Sequence, residues 1–224
     1  MNYTAIIPAA GIGKRMGLGF NKIRYELNGK SIIKRTVEIF ENDRDCSAII
    51  IATGKEEVNI LENDLKDLNK IEKIVVGGKE RQDSIYNALV HAKTDYVFVH
   101  DAARPFLDDD TLTRLKKAVV KKDAVICGVK TKNTLKKVVD GKVVDTINRD
   151  TTIEVHTPQA FCYNLLMDAY HYARDRHLQV TDDAMMVEAF GHDVFVVDST
   201  YNNIKITTTE DLIQSEAILR SRDE

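Results

Sequence analysis

Ala5-Ile6-Ile7-Pro8-Ala9-Ala10-Gly11-Ile12-Gly13-Lys14-Arg15-Met16, followed by Lys22, is the stretch that decides how this chain is read. An apolar strand empties directly into a loop of small residues, and the loop ends in positive charge. Alanine and glycine at Ala9, Ala10, Gly11 and Gly13 leave no bulk between main-chain amides and an approaching anion, so successive N–H groups can point at phosphate oxygens. Lys14, Arg15 and Lys22 add full charges. Two familiar phosphate loops do not fit. A dinucleotide fingerprint needs a third glycine where Met16 stands, and a P-loop ending at Gly29-Lys30-Ser31 needs glycine where Arg24 stands. The alternative is a tight strand-to-helix turn with incidental basic residues.

Outward from that loop, short runs rich in Val and Ile recur at residues 3–7, 48–52, 74–76, 96–99 and 124–129. Segments with helical periodicity lie between them, at 32–40, 58–68, 84–92 and 112–120. Strands alternating with helices predict an α/β fold with a doubly wound, mostly parallel sheet, joined by right-handed crossovers and covered on both faces. Ligands in such sheets bind beyond the carboxyl ends of the strands. The first loop, the Gly77-Gly78 turn and the turn His100-Asp101-Ala102-Ala103-Arg104-Pro105 therefore share one rim. The rhythm breaks at about 131–157, where Lys136-Lys137-Val138-Val139 and Lys142-Val143-Val144 flank Asp140-Gly141, a two-residue hairpin signal. An isolated hairpin is marginal in water, so this β-arm is expected to pack on a second subunit as a homodimer. Helices near 163–174 and 182–190, a strand at 194–197 and a last helix from Glu210 follow. Residues 1–224 are read as one domain carrying the inserted arm.

A formal net charge of −3 with 30% charged residues argues against a surface that binds nucleic acid nonspecifically, so an anion site must be local. No run approaches the roughly 18 apolar residues of a membrane span, and the start lacks the basic-then-apolar pattern of a signal peptide; no membrane partner and a cytoplasmic location are expected. Cys46, Cys127 and Cys162 are far apart and outside any C-x-x-C pattern, which predicts reduced, packing thiols. The histidines form no H-x-x-x-H or His-Cys cluster, and no structural zinc is expected.

Each rim turn offers a polar group the fold does not need. Asp101 can meet a metal or a ligand hydroxyl, or stabilise its own turn. Arg104 precedes Pro105, which holds it extended and aims its side chain. Gly77 and Gly78 permit close approach of a flat ligand, with Ser84 adding a hydroxyl; a flexible turn ending in a helix cap is the alternative. Arg149 and Lys205 are cations a fold can leave solvated, and Thr181-Asp182-Asp183-Ala184 reads first as a helix cap.

The blocks Pro8-Ala9-Ala10-Gly11-Ile12-Gly13-Lys14-Arg15-Met16, Lys22, Gly29-Lys30, Gly77-Gly78 with Arg81 and Ser84, Val99-His100-Asp101-Ala102-Ala103-Arg104-Pro105, Thr157-Pro158-Gln159, Thr181-Asp182-Asp183-Ala184 and Asn203-Ile204-Lys205-Ile206-Thr207 stand in one order along nearly the whole chain. Together they resemble the 2-C-methyl-D-erythritol 4-phosphate cytidylyltransferases. The resemblance implies a nucleotide-diphospho-sugar transferase-like core and a homodimer with interlocked arms. It also implies transfer of CMP from CTP to methylerythritol phosphate with release of pyrophosphate, and a Mg2+ ion carried on the CTP phosphates. It implies that Arg15 and Lys22 stabilise the transferred phosphate and that Arg149, from the neighbouring subunit, and Lys205 hold the acceptor phosphate. Asp101, as metal ligand, Ala102 and Arg104 would line the acceptor and metal side. The main chain from Pro8 through Ala9, Ala10, Gly11 and Gly13, with Gly78 and Ser84, would take the nucleotide, and Thr134, Thr157 and Thr181 would be polar contacts. Asn133, His156, Thr209 and the lack of tryptophan near Ile153 depart from the family pattern. Ribitol-5-phosphate cytidylyltransferases, the nearest rival, usually open Leu-Ala-Gly-Gly. A noncatalytic nucleotide-binding regulator is the reading from another class.

Overall fold

The computed structural model describes residues 1–11 and 19–223. Its centre is a seven-stranded sheet in the order β11-β7-β10-β6-β1-β4-β5. The strands are β1 (Tyr3–Pro8), β4 (Cys46–Thr53), β5 (Ile71–Val76), β6 (Tyr96–Val99), β7 (Ala124–Lys130), β10 (Ile153–Cys162) and β11 (Phe195–Asp198). β1 pairs in parallel with β4 and β6, β4 with β5, and β7 with β11, while β10 runs antiparallel to both its neighbours. Six strands thus point one way and one points back, the doubly wound, mostly parallel α/β sheet that the sequence predicts. Two short strands, β2 (Glu26–Leu27) and β3 (Lys30–Ser31), pair as a small ribbon beside the sheet.

The strands read as continuous apolar runs because both faces are covered. Along β1, Tyr3, Ala5 and Ile7 enter one core cluster with Phe40, Ile49, Ile51 and Phe98. Ile6 points the other way, into a cluster with Ile50, Val97, Val99, Ile85 and Leu89. Helices α1 (Ile32–Asn42) and α4 (Asp109–Lys122) cover the first face. Helices α3 (Arg81–Leu89), α5 (Tyr163–Asp175) and α6 (Asp183–Ala189) cover the second; α2 (Val58–Asp64) and α7 (Thr209–Asp223) complete the set. Local chemistry sets the helix ends. Ser31 accepts from Lys34 N to start α1, and its buried residues Ile32, Ile33, Thr36, Val37 and Phe40 form one stripe. Asp108 caps α4, which carries Asp109 and Asp110 in its first turn and Lys121 and Lys122 in its last, and Asp123 closes it at φ 61°. α3 opens with a capping box, Glu80 to Asp83, so Ser84 is not its cap.

β10 is the element the periodicity does not predict. Its sequence Ile153-Glu154-Val155-His156-Thr157-Pro158-Gln159 mixes polar side chains with a proline, which normally argues against a central strand. The ladder accommodates Pro158 at a register shift between His156 and Gln159, where no main-chain N–H is needed. Residues 153–157, assigned to the arm by the boundary near 157, accordingly start a strand of the central sheet. The arm itself is an antiparallel ribbon of β8 (Leu135–Val139) and β9 (Lys142–Ile147), turned at Asp140 (φ 48°) and Gly141 (φ 76°). Both turn residues have the positive φ of a type I′ hairpin. Every residue of β9 is exposed, and Val138, Val139, Val143 and Val144 stand in solvent on this chain.

All three cysteines are free thiols; Cys46 and Cys127 are buried, and burial pushes them up to about 11 and about 12. They are packing groups, protonated at neutral pH. Among the described residues no helix is long and apolar enough to cross a membrane.

Candidate active site

A cleft of about 380 Å³ opens at the carboxyl ends of β1 and β6, on the predicted rim. It is lined by Pro8, Ala9, Ala10, Gly11, Lys22, Ile23, Gly78, Lys79, Glu80, Arg81, Ser84, Asp101, Ala102, Ala103, Lys205 and Thr207. Four cations face two carboxylates among these residues, so the cleft is positive inside a chain whose net charge is negative.

Three segments build it. The loop after β1 is fixed by its main chain: Ala9 N donates to Ala52 O at 2.7 Å, and the buried Asn21 side chain donates to Ala9 O at 3.1 Å. Asn21 Oδ1 also accepts from Ile23 N, capping the one-turn 3-10 helix that begins at Lys22. One amide therefore ties the small-residue loop to the lysine. The Gly77-Gly78 turn lies against this loop with no space to spare. A Cβ on Gly77 would come within 2.8 Å of Ser84 Oγ and 2.9 Å of Ala10 Cβ, and one on Gly78 within 2.2 Å of Asp83 Cβ. Glycine is needed at both positions for this close approach. Ser84 Oγ accepts from Gly78 N at 3.0 Å and donates to Glu80 O, so the hydroxyl shapes the turn and keeps one lone pair for a ligand.

The floor is Asp101, 7% exposed. Its Oδ2 meets Lys205 Nζ at 2.8 Å and Arg104 Nε at 3.7 Å, and its Oδ1 meets Arg81 Nη2 at 3.5 Å. Burial alone would raise the carboxyl, but Arg81, Lys205 and Arg104 outweigh it and hold the group below the usual carboxylate range. Asp101 is ionised at neutral pH, and its carboxylate is engaged by cations instead of capping its own turn.

Behind the floor lies a buried polar layer. His100 is fully buried and burial lowers it to about 4, so it is neutral at pH 7. Its Nε2 lies 2.9 Å from Arg104 O, which only accepts, so Nε2 carries the proton. Nδ1 then accepts from the Thr157 hydroxyl at 3.1 Å, leaving that oxygen to accept from Asp101 N at 3.0 Å. Arg104 donates to Asn203 O at 2.7 Å, and Asn203 Nδ2 donates to Thr157 O at 2.9 Å. Arg104 and Thr157 are thus buried behind the cleft wall.

The structure brings together Pro8, Ala9, Ala10, Gly11, Lys22, Gly78, Ser84, Asp101, Ala102 and Lys205 from the predicted set. Thr134 and Arg149 are exposed, on the segment that carries the ribbon and outside the cleft of this chain. Thr181 is exposed beside α6, whose cap is Asp182, accepting from Met185 N. Arg15 and Gly13 lie outside the described residues. The sequence reading assigned no site role to Asn21, to Arg81, or to Asp183, which is fully buried and pairs with Arg81 at 2.9 Å. Arg81 and Asp183 stood in the sequence only as positions inside quoted blocks and Asn21 in none of them, and an amide or an acid at a helix start, such as Asn21 or Asp183, has an ordinary capping explanation.

Among the described residues no group of three or more His, Cys, Asp and Glu is placed to hold a metal ion. One carboxylate, Asp101, stands on the cleft floor. A lone carboxylate would suit an ion brought in on phosphates, since Mg2+ keeps several waters and takes one or two carboxylates plus substrate oxygens.

Residues 3–221 match the family model described as 2-C-methyl-D-erythritol 4-phosphate cytidylyltransferase (IspD). A Bacillus cereus protein of that name is 46% identical over 97% of this chain and 98% of its own length. One from Lysinibacillus sphaericus is 40% identical over 99% and 97%. Among solved structures, the Anaerococcus prevotii 4-diphosphocytidyl-2C-methyl-D-erythritol synthase superposes with a TM-score of 0.87 at 32% identity, covering 98% of this chain and 96% of that one. The Francisella tularensis 2-C-methyl-D-erythritol 4-phosphate cytidylyltransferase gives 0.84 at 34%, covering 97% and 99%.

Proposed function

We infer, from the premise that this chain belongs to the 2-C-methyl-D-erythritol 4-phosphate cytidylyltransferase family, that the cleft between the first loop and Asp101 is where the family's reaction takes place. The enzyme is a nucleotidyltransferase of isoprenoid biosynthesis, transferring the cytidylyl group of CTP to 2-C-methyl-D-erythritol 4-phosphate. An acceptor phosphate oxygen forms a bond to the α-phosphorus as the bond to the β-phosphate oxygen breaks, and pyrophosphate leaves with that electron pair. The nucleophile is already ionised, so no general base is required. Two highly anionic molecules must be brought into line, and fixed positive charge supplies the catalysis.

The observation that carries this reading is the set of cations around one small-residue loop: Lys22 on one wall, Arg81 on another, and Lys205 held at 2.8 Å by Asp101 on the floor. In our assignment Lys22 and Arg15 stabilise the α-phosphate. Lys205 receives the acceptor phosphate, and Arg149 reaches it from the partner subunit of a homodimer joined through the ribbon. The amides of Ala10 and Gly11, on the loop that Pro8 and Ala9 begin, face the triphosphate, and the Gly78 main chain with the Ser84 hydroxyl takes base and ribose. Asp101 would hold Mg2+ together with the CTP phosphates; bound there, the ion neutralises charge on the leaving pyrophosphate. Arg104, Ala102 and Thr157 support that floor, and Thr134 and Thr181 complete the acceptor side. The enzyme works in the cytoplasm.

Lys22→Ala is expected to fold and to lower kcat about a hundred- to a thousand-fold, the scale for one preorganised transition-state charge; an unchanged kcat removes Lys22 from the assignment. Mixing inactive Lys22→Ala and Arg149→Ala subunits should restore part of the activity, because one composite site of a mixed dimer is intact. No recovery refutes donation across the interface.

A further inference from the structure

Arg81 is the first residue of α3, and its guanidinium lies between two carboxylates of different kind. Nη2 is 3.5 Å from Asp101 Oδ1 on the cleft floor, and Nη1 is 2.9 Å from Oδ2 of Asp183, which is 0% exposed. Asp183 is held in turn. Its Oδ1 accepts from the Tyr170 hydroxyl of α5 at 2.7 Å, and its main-chain N–H donates to Gln159 Oε1 of β10 at 3.1 Å. Gln159 Oε1 also accepts from Ala184 N, and Gln159 Nε2 donates to Asp182 Oδ2 at 2.8 Å, so both of its polar atoms are spent on the α6 start. A fully buried carboxylate is costly unless its oxygens are satisfied. Here both are, one by a hydroxyl and one by Arg81. α6 would keep its cap without this acid, because Asp182 provides it.

We propose that Asp183, oriented by Tyr170 and Gln159, is a positioning residue that holds Arg81 so that Asp101 in turn presents Lys205 to the acceptor phosphate. Charges alternate along the series Asp183, Arg81, Asp101, Lys205, running from the buried α6 start to the cleft. The inference rests on the site assignment above, specifically on Lys205 facing substrate. With Asp183 neutral, Arg81 loses its inner anchor and competes with Lys205 for the Asp101 carboxylate, which displaces the ammonium from its place. The effect belongs to kcat and to KM for the acceptor, with KM for CTP changing little.

The test uses the full-length enzyme with CTP, Mg2+ and 2-C-methyl-D-erythritol 4-phosphate, reading pyrophosphate release and thermal unfolding together. Asp183→Asn should lower kcat at least tenfold, and Tyr170→Phe, which removes one hydroxyl, about threefold. Repeated in an Arg81→Ala background, either substitution should change kcat less than twofold, because its action passes through Arg81. A loss that persists in that background marks a general structural role and overturns the inference, as does wild-type kcat in Asp183→Asn. If Asp183→Asn does not fold, the Tyr170→Phe pair decides alone by the same criterion. Lys205→Ala separates the two layers: if it is crippled while both positioning variants are normal, the series falls and the site stands. If Lys205→Ala is fully active, the site assignment falls and takes this inference with it.

Discussion

The cleft floor and the β8–β9 ribbon reverse the usual distribution of polar and apolar groups. His100, Asp101, Arg104, Thr157, Asp183 and Asn203 are polar and buried, whereas Val138, Val139, Val143 and Val144 are apolar and about half exposed. Hydrophobic burial would sort these residues the other way, so each region signals something beyond stability. The members of the buried polar layer hydrogen-bond one another behind the Asp101 carboxylate. The exposed valines are the face that the homodimer proposed above would cover. One region is buried by the chain's own elements, and the other lies open on this chain, where the proposed homodimer would cover it.

The largest expected effect lies in the first region. Lys205→Ala should cost about a hundred- to a thousand-fold in kcat, while Lys136→Ala on the ribbon should cost less than twofold; equal losses in pyrophosphate release would erase the contrast.

Acid should also separate the regions. His100 and His156 are both lowered by burial from 6.5 to about 4, Arg104 adding to the shift at His156. Their neutral forms are favoured in the folded state, so the unfolded chain binds more protons between those values. The stabilisation is fully present above pH 6.5 and is lost as pH falls toward 4. His100 alone should account for about 2 to 3 kcal/mol between pH 7 and pH 4.5. Urea denaturation at the two pH values measures this, and an unchanged difference in His100→Gln would remove His100 from the account.

A pair of glycines sharpens the comparison further. Gly78→Ala puts a methyl 2.2 Å from Asp83 Cβ and should destabilise by about 1–3 kcal/mol while raising KM for CTP about tenfold. Gly141→Ala meets nothing within 4 Å but sits at φ +76°, so it should cost about 1 kcal/mol with KM unchanged. Matching KM values in the two variants would show that the Gly78 turn does not shape the nucleotide site.

The smallest effect on folding belongs to the valines. Val138 and Val143 pair across the ribbon and are each 54% exposed, so changing both to lysine should alter chain stability by less than about 1 kcal/mol. Sedimentation should nonetheless show the proposed dimer falling to monomer; an unchanged mass would rule this face out as the contact.

What could be read without coordinates follows the same division. Strands β1, β4, β6 and β7 were legible because buried parallel strands are written as unbroken Val and Ile runs, and the hairpin because Asp140-Gly141 matches one turn type. The loop, Lys22 and Asp101 stood out as residue types that the fold has no use for, whereas Lys205, a cation that a fold can leave solvated, stood out only through the family resemblance. β10 was not, because its polar side chains serve the site and its proline sits at a bulge. Asn21, Arg81 and Asp183 were passed over because their roles depend on partners distant in sequence: Arg81 meets Asp183 across 102 positions, a pairing no local pattern encodes.

β10 also determines where the chain can tolerate inserted or deleted residues. Thr157 and Gln159 sit only two positions apart on it, one under Asp101 and the other under α6. Slipping the strand by a single residue would turn both away from their partners, since alternate side chains face opposite sides. Length variation among relatives should therefore collect at the tip around Asp140 and be absent between residues 153 and 162.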